Sequence, residues 1–532
     1  MSYIDYILKV NDLSLDFGSE SSKTLHDISF DLRKGEILGL IGNSGCGKTM
    51  TSLSVSRLLP KEARITSGSV IFDGKDLLKL SEKEMRNIRG KEIAMIFQEP
   101  YTALDPLKTV YKNLEEVLTE HEDLTKDERR QRITGMLRRV GFEDADIILG
   151  RYPHELSGGQ RQRVLIAGAC LLKPKLMIAD EPTSSLDTVT SMSILELIKS
   201  LCAEFRMSVL FISHDLSVVG GICDRVIVMQ SGKIVDSGNT FDLLYNPINP
   251  YTAGLLSNSR LDPKILDLKF NKPSFSSECI LRVTGLSAGY ESSRGFRKVR
   301  NEVIHDITFK ILNGECIGLI GSSGCGKTTL TRAVSGLIKP TSGTISDMKG
   351  RLGVVFQDPV TCLNPSHTVK WHLEEPLKAN HIKLAPSELI KVTRSSLEAV
   401  GLEEKILGRK PSQLSGGQRQ RVAIAMCLML SPSLIIADEP LSSLDTTSGA
   451  RILDLLSKIN RERNTSILLI SHNLRVIRAA TSYVLVMDNG RIVEDGPTLN
   501  VLSDPKSECT KKLLLAEEKL HQNPDRNQFM TE

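Results

Sequence analysis

The sequence predicts two tandem α/β domains, each built around a parallel β-sheet covered by helices. Two observations carry this prediction: the 532-residue chain repeats its motifs once, and short apolar strands alternate with helical segments in both halves. Residues 25–30 (LHDISF), for example, recur as residues 304–309 (IHDITF). A repeat of this length is too long for a solenoid, so it indicates a duplicated domain.

The spacing of the repeat predicts where the domains begin and end. Residues 42–49 (GNSGCGKT) recur 279 positions later as residues 321–328 (GSSGCGKT), whereas residues 156–160 (LSGGQ) recur only 258 positions later as residues 414–418. The second half has therefore lost residues from the stretch that matches 73–91. We predict a first domain at 1–256, a linker at 257–279, a second domain at 280–520 and a flexible tail at 521–532.

The composition narrows the classes of function. The 68 basic and 64 acidic residues nearly cancel, so no large basic field for nucleic acid is expected. No apolar run approaches the roughly 20 residues of a membrane-spanning helix, and residues 1–9 do not resemble a secretory signal. The ten cysteines form no C-x-x-C pair, which favours buried, reduced thiols. We expect a cytoplasmic protein, unless a partner holds it at a membrane.

A glycine-rich loop follows the first apolar strand of each half and precedes a helix. Its G-x-x-x-x-G-K-T pattern is the phosphate-binding P-loop, in which backbone N–H groups and a helix N-terminus surround phosphate oxygens. Lys48 and Lys327 are expected to reach the β- and γ-phosphates, and Thr49 and Thr328 to bind Mg²⁺. The nucleotide-binding residues predicted from the loops are Gly42, Asn43, Ser44, Gly45, Cys46, Gly47, Lys48, Thr49 and Met50, with Gly321, Ser322, Ser323, Gly324, Cys325, Gly326, Lys327, Thr328 and Thr329.

A pair of acids ends a second apolar strand in each half. Asp180 and Glu181 follow Leu-Met-Ile-Ala, and Asp438 and Glu439 follow Leu-Ile-Ile-Ala. Carboxylates at the C-terminal ends of parallel strands face the ligand crevice. The aspartates are therefore candidate Mg²⁺ ligands through water, and the glutamates are candidate bases for the attacking water.

The sequence L-S-G-G-Q followed by R-Q-R resembles the signature of the ABC transporter ATPases, and the resemblance covers nearly the whole chain twice. It implies two tandem P-loop ABC ATPase domains, each a RecA-like α/β core with an antiparallel β subdomain and an α-helical subdomain. In that family the signature of one cassette contacts the γ-phosphate held by the other. The matching residues are Ser157, Gly158, Gly159 and Gln160, with Ser415, Gly416, Gly417 and Gln418.

The same resemblance implies four further roles. The first is an aromatic residue that stacks on adenine, for which packing into the core is the alternative explanation. The others are a glutamine that senses Mg²⁺, a histidine that contacts the γ-phosphate, and an aspartate that crosses the cassette interface. In that order, the matching residues are Phe17 and Tyr290, Gln98 and Gln357, His214 and His472, and Asp187 and Asp445.

Both sets of motif residues are complete, which predicts two active ATP sites formed head to tail. Met50 stands where the second half has Thr329, so a modest difference in nucleotide affinity is expected. Cys46 and Cys325 occupy a position that accepts any small residue; a redox-sensitive thiol is the alternative.

Several strings resemble the importer branch for peptides and nickel: residues 97–106 (FQEPYTALDP), 356–365 (FQDPVTCLNP), 152–157 (YPHELS) and 246–252 (NPINPYT). The resemblance implies an energy-coupling subunit at the cytoplasmic face of the membrane. It would work with two permeases and, through them, an extracytoplasmic substrate-binding protein, for uptake of peptides or nickel and metal chelates.

Some members of that branch carry a cysteine-rich segment that has no counterpart here, so no iron–sulfur cluster is expected. The alternative class is a soluble twin-cassette ATPase that acts on ribosomes or nucleic acid. Such proteins usually carry a long charged linker or zinc-binding cysteine pairs, and this sequence has neither. An exporter ATPase is a third possibility, which the import-like strings disfavour.

Overall fold

The computed structural model describes residues 5–17, 23–97, 103–184, 186–259, 270–271, 278–294, 297–357, 362–441, 444 and 446–521. The chain folds as two compact units that follow the repeat. The first is built mainly from residues up to Ser259, and the second mainly from residues between 260 and Glu517. The predicted α/β fold class is confirmed in both units.

A six-stranded sheet forms the centre of the first unit. Five of its strands are parallel, and an antiparallel strand closes one edge. The three strands that precede the site residues are buried at every position, because helices cover both faces, and this explains their uninterrupted apolar sequence. The spatial order is Lys233–Asn239, Arg225–Gln230, Ile37–Gly42, Ser208–Ile212, Leu176–Asp180 and Ile93–Ile96.

An antiparallel sheet packs on one side of this parallel sheet, and its residues share one hydrophobic core with Leu38 and Leu40. Its strand order is Lys23–Arg33, Tyr6–Phe17, Ala63–Phe72 and Lys75–Asp76. The helices and short 3₁₀ turns of the unit are Lys48–Ser56, Leu77–Lys79, Glu82–Ile88, Val110–His121, Lys126–Arg139, Ala145–Leu149, Pro153–Glu155, Gly158–Cys170, Thr188–Phe205, Leu216–Ile222, Thr240–Tyr245 and Pro250–Ser259.

The second unit repeats this architecture. Its parallel sheet runs Leu352–Val355, Leu434–Asp438, Ser466–Ile470, Cys316–Gly321, Tyr483–Asp488 and Arg491–Pro497, and its antiparallel sheet runs Arg297–Leu312, Cys279–Arg294 and Ser342–Ser346. Its helices and 3₁₀ turns are Lys327–Val334, Val369–Ala379, Pro386–Ala399, Glu404–Ile406, Pro411–Gln413, Gly416–Leu428, Thr446–Arg463, Leu474–Ala480, Thr498–Ser503 and Glu508–His521.

The shortening of the second half falls where the repeat spacing predicts it. The first unit has a short strand, a 3₁₀ turn and a helix (Glu82–Ile88) after Phe72. Between Ser346 and Leu352, the described second unit has no counterpart to these three elements. The antiparallel sheet of the second unit is correspondingly one strand smaller.

Little of the predicted linker is described. The helix Pro250–Ser259 runs past its expected first residue, and the strand that starts at Cys279 begins at its last. Between them, Phe270 packs against the hydrophobic core of the second unit. The domain boundaries stay a prediction, and residues 522–532 of the predicted tail lie outside the described residues. No helix in the described part of the chain is both long and apolar enough to cross a membrane.

Candidate functional site

The predicted site residues of each unit lie where the parallel strands end. In the first unit, the strands that end at Gly42, Asp180 and Ile212 are hydrogen-bonded neighbours, so the three loops that follow them meet at one edge of the sheet. The second unit has the same arrangement after Gly321, Asp438 and Ile470. This edge brings together the glycine-rich loop, the acidic pair and the histidine.

Both P-loops turn into their helices through a left-handed glycine. Gly47 has a φ of 107° and Gly326 a φ of 109°, a region that other residues rarely adopt. A Cβ atom at Gly47 would lie 2.6 Å from the Leu25 side chain, and one at Gly326 would lie 2.8 Å from Ile304. Only glycine therefore permits the turn that starts the helix at Lys48 and at Lys327.

The P-loop lysines are buried inside their own loops. Lys48 Nζ donates to the carbonyl oxygens of Gly42 and Asn43 at 2.8 and 3.1 Å. Lys327 Nζ makes the equivalent bonds, at 2.8 and 2.9 Å, to two carbonyl oxygens of the second loop. Carbonyl dipoles thus hold each ammonium at the centre of the concave loop, where phosphate oxygens would be attracted by its charge.

The two strand-terminal aspartates have weakened acidity. Burial raises the pKa of Asp180 to about 6; Glu181 adds to the shift, while Thr49, through its hydroxyl hydrogen bond, and Lys48 oppose it. Burial likewise raises the pKa of Asp438 to about 6, with Glu439 adding to it. Asp180 Oδ1 is buried and has no hydrogen-bond partner. An unpaired buried carboxylate oxygen is costly, so the position fits a group that binds a cation.

The glutamates next to these aspartates leave the strands through a strained turn. Glu181 and Glu439 have φ values of 48° and 45°, in the left-handed region. Their amides donate to Ile212 and Ile470, the last residues of the neighbouring strands, at 2.9 and 3.0 Å. Strain of about 1–2 kcal/mol per residue at the same point of both units indicates a requirement for this orientation.

The turn places each glutamate against a histidine. His214 Nδ1 lies 3.0 Å from Glu181 Oε1, and His472 Nδ1 lies 3.3 Å from Glu439 Oε2. Burial lowers the pKa of His214, but the hydrogen bond and negative charge of Glu181 outweigh it, so the net shift is upward. The pKa of His472 is raised in the same way by Glu439.

The second unit also shows the predicted glutamine beside this pair. Gln357 Nε2 donates to Glu439 Oε2 at 3.0 Å. Burial raises the pKa of Glu439, yet His472 and Lys327 outweigh burial and the net shift is downward. Glu439 is therefore ionised at neutral pH, as a group that accepts a proton from water must be.

The signature serines cap the helices that follow them. Ser157 Oγ accepts from Gln160 N at 3.2 Å while Gln160 Oε1 accepts from Ser157 N at 3.1 Å, and Ser415 and Gln418 repeat this capping box. Both serines are exposed, and the amides of the glycines after them belong to the first helical turn, which has no helical acceptors. The arrangement leaves a helix N-terminus open to an anion.

The two predicted adenine-stacking residues are exposed, which argues against core packing. Phe17 is 43% exposed and Tyr290 is 40% exposed. Their surroundings differ: Tyr290 Oη lies 3.4 Å from Thr329 Oγ1 and accepts from Arg332 at 3.2 Å. Arg332 was not singled out from the sequence, although its charge is visible as a difference from Leu53, its counterpart in the repeat.

Three predicted site residues need separate mention. Gln98 and Asp445 lie outside the described residues, and Asp187 is buried.

The P-loop thiols of Cys46 and Cys325 are also buried, and burial raises the pKa of both, which lowers their reactivity as thiolates. This favours the steric explanation for these cysteines over a redox role.

The histidine–glutamate pairs predict a specific titration behaviour. We expect the imidazole pKa of His214 to lie above its ordinary value in the wild type and to fall below that value in Glu181→Gln, because burial remains while the negative charge is lost. Histidine-resolved NMR titration measures this. In Glu439→Gln, the matched control, the pKa of His214 should stay unchanged; a fall in both variants would contradict a local pair.

Comparison with known proteins identifies the fold of both units. A family profile described as "ABC transporter" matches residues 25–184 and 304–442. The chain is 40% identical to the "Peptidoglycan transport ATP-binding protein YejF" of Agrobacterium fabrum, with 96% of each chain covered. It is 39% identical to the "Uncharacterized ABC transporter ATP-binding protein YejF" of Escherichia coli, with coverage of 96% of this chain and 99% of the relative.

A third relative is the "Glutathione import ATP-binding protein GsiA" of Salmonella paratyphi A. It is 35% identical to this chain, and the alignment covers 96% of this chain and 89% of the relative. The profile matches more than half of the chain, and all three alignments span nearly its whole length. The chain therefore belongs to the ABC transporter ATP-binding proteins and is an ATPase.

Proposed function

We propose that this chain is the ATP-hydrolysing, energy-coupling subunit of an ABC importer that takes up peptides or peptide-containing molecules through partner permeases. The observation that carries the proposal is the complete set of lysine, aspartate, glutamate and histidine at the strand ends of both units. The names of the relatives support import of peptide-like cargo, since they refer to peptidoglycan and glutathione. They do not mention nickel, which makes the metal-chelate alternative the weaker one.

The geometry supports a mechanism in which the P-loop holds the triphosphate and the glutamate activates water. Lys48 and Lys327 attract the β- and γ-phosphate oxygens, while the carboxylate of Glu181 or Glu439 accepts the proton of the attacking water. Attack on the γ-phosphorus breaks its bond to the β-phosphate oxygen and releases ADP and phosphate. The paired histidine keeps the carboxylate in position and can donate to the γ-phosphate.

The residues beside the loop fit a Mg²⁺ ion. Thr49 and Asp180 in the first unit, and Thr328 and Asp438 in the second, would hold it. Gln357 and its counterpart in the repeat, Gln98, are the glutamines predicted from the sequence to sense the ion. The unpartnered Oδ1 atom of Asp180 is the structural observation that fits. Bound Mg²⁺ would neutralise charge on the β- and γ-phosphates. In the described residues no cluster of three acidic, histidine or cysteine side chains could hold a metal alone, so nucleotide and water oxygens would complete the shell.

We further propose that the signature of each half completes the ATP site of the other. The first site would combine the P-loop of Lys48 with Ser415, Gly416 and Gly417, and the second would combine that of Lys327 with Ser157, Gly158 and Gly159. The exposed serine-capped helix starts support this, because they offer amides and a hydroxyl to a phosphate. ATP-driven association of the halves at the cytoplasmic face would then drive the permeases.

Loss of either base should stop the paired cycle. We expect Glu181→Gln and Glu439→Gln each to lower steady-state ATP hydrolysis by about 100-fold, since each removes a general base and the halves act together. ATP binding should persist. Glu120→Gln, which alters an exposed helix residue, should hydrolyse ATP at the wild-type rate. A mere halving in either single variant would indicate two independent sites and contradict the paired mechanism.

The two nucleotide sites should differ in affinity. In the second half, Tyr290 forms hydrogen bonds with Thr329 and Arg332. In the first half, Phe17 lacks a hydroxyl, and Met50 and Leu53 replace the threonine and the arginine. Net hydrogen bonds contribute about 0.5–1.5 kcal/mol each, so Arg332→Leu should weaken ADP binding to the second half by about threefold to tenfold. Calorimetry in a Lys48→Ala background isolates that half. Met50→Thr should leave that affinity unchanged, and equal effects of both changes would contradict the assignment.

Uptake measurements test the transport proposal itself. A strain that lacks this chain should lose uptake of labelled short peptides or muropeptides and regain it with the wild-type gene, but not with Glu181→Gln. Nickel and metal chelates form the comparison arm. Unchanged uptake of every peptide, together with loss of nickel uptake, would overturn the peptide assignment while leaving the ATPase assignment intact.

A further inference from the structure

A cavity of about 690 Å³ opens in the first unit at the end of the parallel sheet opposite the ATP site. Its lining includes Ile37 and Ser208, which are the first residues of two of the sheet strands. Strands of five or six residues at about 3.3 Å per residue separate it from the P-loop edge by roughly 15–20 Å. It is therefore not part of the nucleotide site.

Four cations line this cavity: Lys34, Lys175, Lys199 and Arg206. Lys34 and Lys175 are already paired, the former with Asp5 at 2.7 Å and the latter with Asp73 at 2.7 Å. Lys199 has only a long hydrogen bond, 3.4 Å, to a backbone carbonyl. Within the described part of the chain, neither Lys199 nor Arg206 forms an ion pair. Asp73 and Asp224 also line the cavity, and Asp224 Oδ2 accepts from Ile37 N at 2.8 Å. The cavity thus offers two cations outside ion pairs beside an apolar wall that includes Ile7, Ile37 and Ile222.

The repeat supplies an internal comparison, because the same place in the second unit is filled by the chain itself. Asn271 N donates to Asn460 Oδ1 at 2.7 Å, and Asn271 Nδ2 donates to Asn460 O at 3.0 Å. The neighbouring Phe270 packs on the hydrophobic core. Asn460 and Asn464 are the counterparts of Cys202 and Arg206, both of which line the cavity of the first unit.

A glycine just before one parallel strand of each unit, Ile37–Gly42 or Cys316–Gly321, shows the same contrast. A Cβ atom at Gly314 would lie 2.3 Å from Asn464 Oδ1, whereas one at Gly35 would meet no atom within 4 Å. The cavity is thus open in the first unit where the second is covered.

The side chains that line the cavity also differ between the two units. The second-unit counterparts of the four cations are Asn313, Ser433, Ser457 and Asn464, none of which is charged. The buried amide of Asn460, which binds the backbone of the inserted segment, is replaced by the thiol of Cys202, a weak hydrogen-bonding group. A segment bound in the first unit would therefore have to be held by charge and apolar contact.

We propose that this cavity binds an extended acidic segment of a partner protein, at the position that residues 270–271 occupy in the second unit. In an extended segment, side chains alternate between two faces, so apolar residues would contact the isoleucine wall while carboxylates alternate toward Lys199 and Arg206. The guanidinium of Arg206 can take a carboxylate by two parallel hydrogen bonds.

The test is direct binding of a probe peptide to the full chain with ADP saturating the ATP sites. Fluorescein-labelled Glu-Leu-Glu-Leu-Glu should bind saturably by fluorescence anisotropy, and Lys-Leu-Lys-Leu-Lys should not. Lys199→Ser with Arg206→Asn, which installs the residues of the second unit, should weaken binding about tenfold and leave the ATPase rate unchanged. The matched control, Lys126→Ser with Arg138→Asn, removes the same charge from an exposed helix and should bind like the wild type.

Three outcomes would overturn the proposal. They are no saturable binding to the wild type, equal loss of binding in both double variants, and competition by free glutamate as effective as that of the peptide at the same carboxylate concentration. The last result would assign the cavity to a small anion instead.

Discussion

The site depends on a difference in acidity between two adjacent carboxyl groups at the end of one buried strand. Burial raises the pKa of Asp438 to about 6, while the histidine and lysine beside Glu439 hold its pKa below the ordinary value. Residues next to each other on a strand point to opposite sides, but this alone does not separate their acidity. The left-handed turn at the glutamate does, because it takes that side chain out of the sheet and into contact with the histidine. The aspartate is thereby suited to bind a cation, and the glutamate is suited to accept a proton.

The sequence predicts the parts of this arrangement that follow from local rules. Apolar runs of four or five residues form buried strands. The glycine-rich P-loop is followed by a helix that begins at its lysine. The serine of L-S-G-G-Q becomes a helix cap because its hydroxyl and the glutamine three residues later satisfy each other's backbone amides. Each of these outcomes depends on residues within one turn or one strand, so a single sequence is enough to predict it.

Other features depend on contacts between distant segments and were not predictable. The left-handed backbone of Glu181 has no sequence signal of its own, since Glu-Pro is compatible with an ordinary extended strand end. The contact of Arg332 with Tyr290 joins residues 42 positions apart. The insertion of Asn271 against Asn460 spans 189 positions and lies in a stretch expected to be only a linker. In each case the partner is chosen by the tertiary fold.

The two units have diverged unequally along the same sheet. At the ends of the strands, the lysine, the acids and the histidine are the same, and their distances agree within 0.3 Å for the histidine–glutamate pair. Around the starts of the strands, four cations of the first unit correspond in the repeat to four neutral residues of the second. In the proposed mechanism, hydrolysis of the same nucleotide in both units constrains the first edge, because misplacement of a reacting group by about 1 Å is costly to catalysis. No such constraint acts on the opposite edge, where the sheet requires only that its backbone groups be satisfied. A duplicated cassette can therefore fill that edge with its own chain in one copy and leave it open in the other, without any change to the chemistry.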